Sequence, residues 1–171
     1  MRVVIFTEDR YGKGFLKKVV NRLISEVYLK KKIEFAKPYT PSLIKKCHNV
    51  RKVKTVVKEV DKVLIVIDKE NVSKYDEYRE IWRHLEGLDE TDKSKITVIA
   101  TEPCIEEWIC ISLRESFDKT GGNTREKPDR ILERKIGYKK CKCGKLVEKL
   151  DFEILLKDSN SFKKFYETLK N

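Results

Sequence analysis

Every residue of the run Val63-Leu64-Ile65-Val66-Ile67 is large and apolar. A strand with one wet face alternates apolar and polar residues, because successive side chains point to opposite sides of the sheet. This run has nothing to offer water on either side, so it must lie in a sheet covered on both faces. Parallel sheets are built that way, since each crossover lays a helix over one face or the other.

The rest of the chain supplies the elements such a sheet needs. Arg2–Thr7 is a second β-branched and aromatic run, read as a buried strand. Gly12 and Gly14 interrupt the chain. After them Phe15, Val19, Val20, Leu23, Ile24, Val27 and Tyr28 recur at helical spacing. Ile33–Ala36 reads as a short strand ended by Pro38 and Pro41, and residues 42–60 as a helix interrupted near His48-Asn49. Tyr75, Tyr78, Ile81, Trp82 and Leu85 make a stripe on a helix over 74–87; Lys95–Ala100 is a fourth strand, and Ile105–Leu113 begins another helix after Pro103.

Strand and helix thus alternate four times, which predicts an α/β fold with a mostly parallel sheet of about four strands and helices on both faces. Residues 1–118 make up this α/β domain. Residues 119–171 read as a basic, polar, helical C-terminal extension packed on the same domain, with helices at Asp151–Leu156 and Ser161–Leu169. No Gly/Ser/Pro-rich linker and no internal repeat divides the chain.

Charge is distributed unevenly. The 171 residues carry 39 Lys+Arg against 28 Asp+Glu, a formal net charge of +11. Residues 10–62 hold 16 basic and 4 acidic groups and residues 119–171 hold 15 and 8, whereas residues 63–118 hold 7 and 14. Basic segments attract polyanions through phosphate neutralisation, and clustered carboxylates attract hard cations. The plainer reading of any one Lys-rich helix is a solvated face.

No apolar run approaches the roughly 20 residues of a membrane span, so no membrane partner is expected. The N-terminus reaches Glu8 too soon for a signal peptide. Five cysteines, odd in number and irregular in spacing, argue against a secreted disulfide framework; a cytoplasmic protein with free thiols is expected. Glutamine is absent and Lys and Glu dominate the charged residues, as in thermophilic proteins.

Ligands of open parallel sheets bind beyond the carboxyl ends of the strands, where loops and helix N-termini converge. Glu8 and Asp9 follow the first strand, Asp68 ends the third with Glu70 two residues on, and Glu102 follows the fourth, with Glu106 and Glu107 opening the next helix. Acidic groups from three crossovers are thereby expected at one edge. Carboxylates gathered so closely repel and raise one another's pKa unless a cation intervenes. Mg²⁺, with Mn²⁺ as a substitute, suits such a site because it takes one or two carboxylates and fills its octahedron with water and phosphate oxygens. The metal ligands expected are Glu8, Asp68 and Glu70. Each acid alone has an ordinary alternative as turn chemistry, an ion pair or a solvated side chain.

These residues resemble a known family. A strand ending in Glu (Val3-Val4-Ile5-Phe6-Thr7-Glu8) and a later apolar strand ending in acid-x-acid (Val63-Leu64-Ile65-Val66-Ile67-Asp68-Lys69-Glu70) are similar to the Toprim domain of topoisomerases, primases, overcoming-lysogenization-defect nucleases and small maturation ribonucleases. Pro103-Cys104-Ile105-Glu106-Glu107-Trp108-Ile109 resembles the Glu-x-Trp helix start of small Toprim-like proteins, including uncharacterised prokaryotic families and RloB-like proteins. Gly137-Tyr138-Lys139-Lys140 and Ser161-Phe162-Lys163-Lys164-Phe165-Tyr166-Glu167-Thr168-Leu169 resemble the closing Tyr-x-Lys and Ser-x-Phe pattern of those proteins. The likeness spans almost the whole chain.

It implies Mg²⁺-dependent phosphodiester chemistry on DNA or RNA, as a small nuclease. Glu8 would be the general acid/base or assist the metal, Asp68 and Glu70 would hold the metal, Glu106 would lie beside the cluster as a second catalytic group, and Trp108 would pack. Lys140, with Lys13 and Lys69, would contact phosphate. The chain departs from the family pattern in having Asp9 where glycine is usual and Glu70 as the second acid, one methylene longer than aspartate.

Two other functions compete with the nuclease. One is a non-catalytic nucleic-acid-binding or defence-accessory protein with a degenerate site. The other is a flavodoxin-like phosphotransfer or ligand-binding domain, which calls for a phosphoacceptor Asp, a Thr or Ser after one strand (Thr101 fits loosely) and a Lys after the last, for which the sequence offers no clear candidate. Cys141-Lys142-Cys143 is the one compact cysteine pair. Structural zinc is not expected there, because two more ligands would have to come from Cys47-His48 or from Cys104 and Cys110. Gly12-Lys13-Gly14 lacks the full P-loop pattern and reads as a helix entry.

Overall fold

The computed structural model describes residues 1–8, 10–36, 47–69, 81–120 and 122–171. Strands β1 (Arg2–Thr7), β2 (Glu34–Phe35), β3 (Lys62–Asp68) and β4 (Ile96–Thr101) form one sheet in the order β2-β1-β3-β4, every neighbouring pair parallel. The register sets Thr7 beside Val66 and Asp68 beside Thr101, so β3 and β4 finish level and β1 stops two residues short of them. The chain is an α/β protein.

The apolar runs do what their composition requires. Val3 and Ile5 of β1, Leu64 and Val66 of β3 and Ile99 of β4 join one core cluster. Val4 and Phe6, Val63, Ile65 and Ile67, Ile96 and Val98 join a second. Alternate residues of each strand therefore feed opposite faces, and both faces are covered. On the second face the cover comes from Val53 and Val56 of α2 (Cys47–Val56), from Val57 of the 3₁₀ turn that continues it (Val57–Glu59), and from Ile81, Leu85 and Leu88. Of the helices read from sequence over 42–60 and 74–87, residues 42–46 and 74–80 lie outside the described residues. A short helix α3 (Glu90–Ser94), capped by the Asp89 carboxylate accepting from the Asp92 N–H at 2.7 Å, precedes β4.

On the first face lie α1 (Arg10–Ser25), α4 (Glu107–Ser112), α5 (Pro128–Ile136), α6 (Phe152–Asp158) and α7 (Asn160–Lys170). Helix α1 buries Phe15, Leu16, Val19, Val20 and Leu23, the apolar stripe of an amphipathic helix. Its start differs from the sequence reading: Gly12, Lys13 and Gly14 are not a loop before the helix but part of its first turns. Glycine lowers helix propensity, yet burial of the stripe just beyond outweighs about 1 kcal/mol per glycine.

Residues 119–171 are helical and basic, but they are not polar throughout. Phe152, Leu155, Phe162, Phe165 and Leu169 are buried in the same cluster as β1 and α1. Trp108 of α4, fully buried, lies edge-on to Phe162, with ring centroids 5.0 Å apart, and tilted against Phe165 at 5.3 Å. Two cations of α1 tie the segment down: Lys18 donates to the Gly144 carbonyl at 3.1 Å, and Arg22 to the Val147 and Leu150 carbonyls at 2.6 and 2.8 Å. These carbonyls lie in and just after the 3₁₀ turns of residues 140–149. Among the described residues no helix is long and apolar enough to cross a membrane.

Candidate functional site

The carboxyl edge of the sheet collects the predicted acids. Glu8 and Asp68 follow or end adjacent parallel strands, and the Glu8 carboxylate accepts the Asp68 backbone N–H at 3.1 Å. Asp68 Oδ1 accepts two further bonds at 3.0 Å, from the Thr101 hydroxyl at the end of β4 and from the Ile105 N–H. Thr101 and Ile105 thus fix the Asp68 carboxylate, while Glu8 holds its backbone. The Thr101 hydroxyl also reaches the Ile67 carbonyl at 3.2 Å.

Glu106, at the N-terminus of α4, is 2% exposed. Its Oε1 accepts the Tyr138 hydroxyl at 2.7 Å. Tyr138 arrives there because α5 ends on Gly137 in a left-handed conformation (φ 63°), whose N–H bonds Glu133 O while that of Tyr138 bonds Leu132 O. This glycine-ended motif turns the chain sharply and sends the next side chain inward. Burial first, then the Glu106 charge and hydrogen bond, push the Tyr138 phenol far above its ordinary value. It is a hydrogen-bond donor at any working pH.

Asp68, Glu106 and Tyr138 line one cavity of about 300 Å³ together with Cys104, Asp129, Arg130, Glu133, Lys139 and Lys140. Burial pushes the Asp68 carboxyl up to about 7, and the Glu106 and Glu8 charges push the same way; Lys140 and the Thr101 hydroxyl oppose them. A buried acid between two others holds a proton near neutrality unless a cation takes its place. Sequence reasoning named Glu8, Asp68, Glu106 and Lys140, and the structure gathers all four around Asp68. It underrated Thr101, and it missed Tyr138 as the partner of Glu106. The signals for Tyr138 were available: proline at the start of α5 and glycine just past its end.

Other predicted residues fare differently. Glu70 lies outside the described residues. Lys69 is largely buried, and its ammonium pairs with the Glu102 carboxylate; its charge is committed within the protein and not presented to a phosphate. Lys13 is partly buried in the first turns of α1, and burial first, then the neighbouring Lys17 charge, holds its ammonium below the ordinary value. Of the cysteines, Cys143 donates to the Tyr11 carbonyl and Cys110 to the Pro128 carbonyl, each at 3.6 Å; burial pushes the Cys110 thiol up to about 12. Such a thiol is no nucleophile at neutral pH.

Among the described residues no three or more His, Cys, Asp or Glu side chains converge as a metal-holding group. A cation fits here only in the manner of Mg²⁺, with one or two protein carboxylates and the remaining positions left to water or phosphate oxygen. The carboxylates that could take part in such a site are Glu8 and Asp68, whose residues are joined by the Asp68 N–H bond to Glu8. Comparison of the chain with protein-family models, curated proteins and solved structures finds no match.

Proposed function

We propose that the protein carries out Mg²⁺- or Mn²⁺-dependent phosphodiester chemistry on nucleic acid, as a small nuclease with a Toprim-like site. The observation that carries the reading is the position of Asp68. It ends β3 at the carboxyl edge of a parallel sheet, its carboxylate held by Thr101 and Ile105 and its backbone by Glu8, with Glu106 and Lys140 in the same cavity. In this reading Glu8 and Asp68 hold the cation, with Glu70 as the third acid. When bound, the cation polarises the phosphoryl oxygen and acidifies water.

The protein's own groups do the rest. Lys140 offsets phosphate charge at the cavity mouth. Glu106, oriented by the Tyr138 hydroxyl, exchanges a proton with the attacking or leaving oxygen. Burial keeps its carboxylate away from bulk water, where proton transfer would lose direction.

The test is cleavage of labelled single- and double-stranded DNA and RNA with Mg²⁺ or Mn²⁺ by wild type, Glu8→Gln, Asp68→Asn and Glu106→Gln. Metal-dependent cleavage should fall by at least about 10²-fold in each variant, the usual cost of losing a general acid/base or a ligand. Cleavage that persists in Asp68→Asn, or that needs no divalent ion, refutes the reading.

One observation favours a second reading, phosphotransfer to Asp68: the Thr101 hydroxyl bonds its carboxylate, and the Lys140 charge acts on it. The carboxylate oxygen would bond to phosphorus as the donor's leaving group departs. The pKa of about 7 counts against it, because half of the would-be nucleophile is protonated at neutrality. A base-labile phosphate on Asp68 after exposure to a small phosphoryl donor would establish it.

A further inference from the structure

The positive charge near the site is not scattered. Helix α1 carries Arg10, Lys13, Lys17, Lys18 and Arg22 and no acidic residue in Arg10–Ser25. Residues 139–145 carry Lys139, Lys140, Lys142 and Lys145 and again no acid. These two stretches lie far apart in the chain but pack together: Cys143 bonds the Tyr11 carbonyl, Lys18 bonds the Gly144 carbonyl, and a Cβ added at Gly144 would sit 3.5 Å from the Lys18 side chain. Lys18 of α1 and Lys139, Lys140, Lys142 and Lys145 thereby lie along one side of the molecule, and all five are exposed. Beside them Arg22 pairs with Glu26, and on the other flank of α1 Lys17 lies over the Phe35 ring. At one end the surface runs through Lys139 and Lys140 into the cavity that holds Asp68.

We infer that the face made by α1 and the Lys140–Lys145 turn binds the phosphodiester backbone of nucleic acid and leads it to the Asp68 cavity. The inference deepens the proposed function and rests on it only for the direction of the path. Charge complementarity selects the occupant: regularly spaced phosphates match a band of lysines, and release of their counterions drives association. Recognition is by backbone and not by base. The aromatic residues within the two stretches are Tyr11 and Phe15; Phe15 is buried and Tyr11 is packed against the core, so neither offers a stacking platform. Phosphate contacts carry no base information, so affinity should not depend on sequence.

The experiment measures anisotropy of fluorescent DNA and RNA duplexes of two unrelated sequences with the full-length protein in EDTA, over a range of salt concentrations. It compares wild type with Lys139→Gln/Lys142→Gln/Lys145→Gln and with a control of equal charge change elsewhere, Lys30→Gln/Lys163→Gln/Lys164→Gln. The first variant should bind at least about tenfold more weakly and lose about two units of the log–log salt slope, near 0.7–0.9 per phosphate contact. The control should change less than about threefold, and the two sequences should bind alike. Equal losses in the two variants, no loss in the first, or competition by phosphatidylserine vesicles as effective as that by nucleic acid would overturn the inference. Hydrolysis of bis(p-nitrophenyl) phosphate with Mn²⁺ separates the two proposals: it needs Asp68 but not the band. Loss of duplex binding in the band variant without any hydrolysis by wild type leaves the backbone track standing and removes the nuclease.

Discussion

Glu107 is 4% exposed, and its Oε1 accepts the Ser161 hydroxyl, which in turn accepts the Trp108 indole N–H at 2.7 Å. Burial pushes its carboxyl up to about 7 from an ordinary 4.5, although the Ser161 hydrogen bond pulls the other way. The sign of the stability effect follows from proton binding. Between pH 4.5 and 7 the folded state keeps the Glu107 proton and the unfolded chain has lost it. The stabilisation is therefore complete below pH 4.5 and disappears as pH rises through 7. At 1.36 kcal/mol for each pKa unit, this amounts to about 3 kcal/mol. Glu107→Gln keeps an acceptor for Ser161 and removes the titration. Whatever constant cost the amide brings, the stability of the variant minus that of wild type should increase by about 3 kcal/mol from pH 4 to pH 8. In melting temperature this is on the order of 10 °C for a chain of this length. Urea unfolding followed by tryptophan fluorescence at several pH values measures the difference, and the subtraction cancels every other titrating group. A difference constant to within about 1 kcal/mol would show that Glu107 ionises normally in the fold, and that the network around it is wetter than its burial implies.

Four further outcomes follow from the same physics. Asp68 has a raised pKa too, so Asp68→Asn should stabilise the protein above pH 7 relative to wild type while abolishing metal-dependent turnover, as urea unfolding and the cleavage assay would show. Because Asp68 is about half protonated at pH 7, Mg²⁺ binding there should release about half a proton, seen by calorimetry in buffers of different ionisation enthalpy; zero release in wild type contradicts metal binding at Asp68. Tyr138→Phe removes the donor to buried Glu106 and should cost about 1–3 kcal/mol, measured by urea unfolding at pH 7. Val27, 68% exposed with φ at 64°, holds a β-branched side chain in the left-handed region after α1; Val27→Gly should gain about 1 kcal/mol, a rise of a few degrees in melting temperature.

The sheet was legible because its signal is local. β1 and β3 coincide with the two apolar runs, Arg2–Thr7 and Lys62–Asp68, and their parallel pairing brings Glu8 within reach of the Asp68 N–H. What escaped the sequence reading lies where the signal is not local. Helices α6 and α7 were readable from their spacing, but between residues 119 and 150 the pattern is interrupted by 3₁₀ turns at Thr124–Glu126, Lys140–Lys145 and Val147–Lys149. Helix α5 was missed although its Pro128 start and Gly137 stop obey a readable rule. Lys69 illustrates the opposite error. Its position between two acids suggested a phosphate contact, but Glu102, 33 residues away in sequence, takes its charge, and only the fold brings that partner near.

Glu106 and Glu107 show how the C-terminal third and the site depend on each other. The two carboxylates are consecutive, both are almost fully buried, and they face different partners. Glu106 turns to the cavity and takes the Tyr138 hydroxyl, whereas Glu107 turns to the core and takes that of Ser161. Both donors come from residues 119–171. Loss of a donor to a buried carboxylate costs about 1–3 kcal/mol, so both hydroxyls help to hold the start of α4. Ile105, just before that start, supplies its N–H to Asp68. The C-terminal third therefore does more than cover a sheet face: through two hydroxyl groups it fixes the strand-to-helix connection on which the Asp68 carboxylate rests, and any chemistry at the carboxyl edge depends on its being folded.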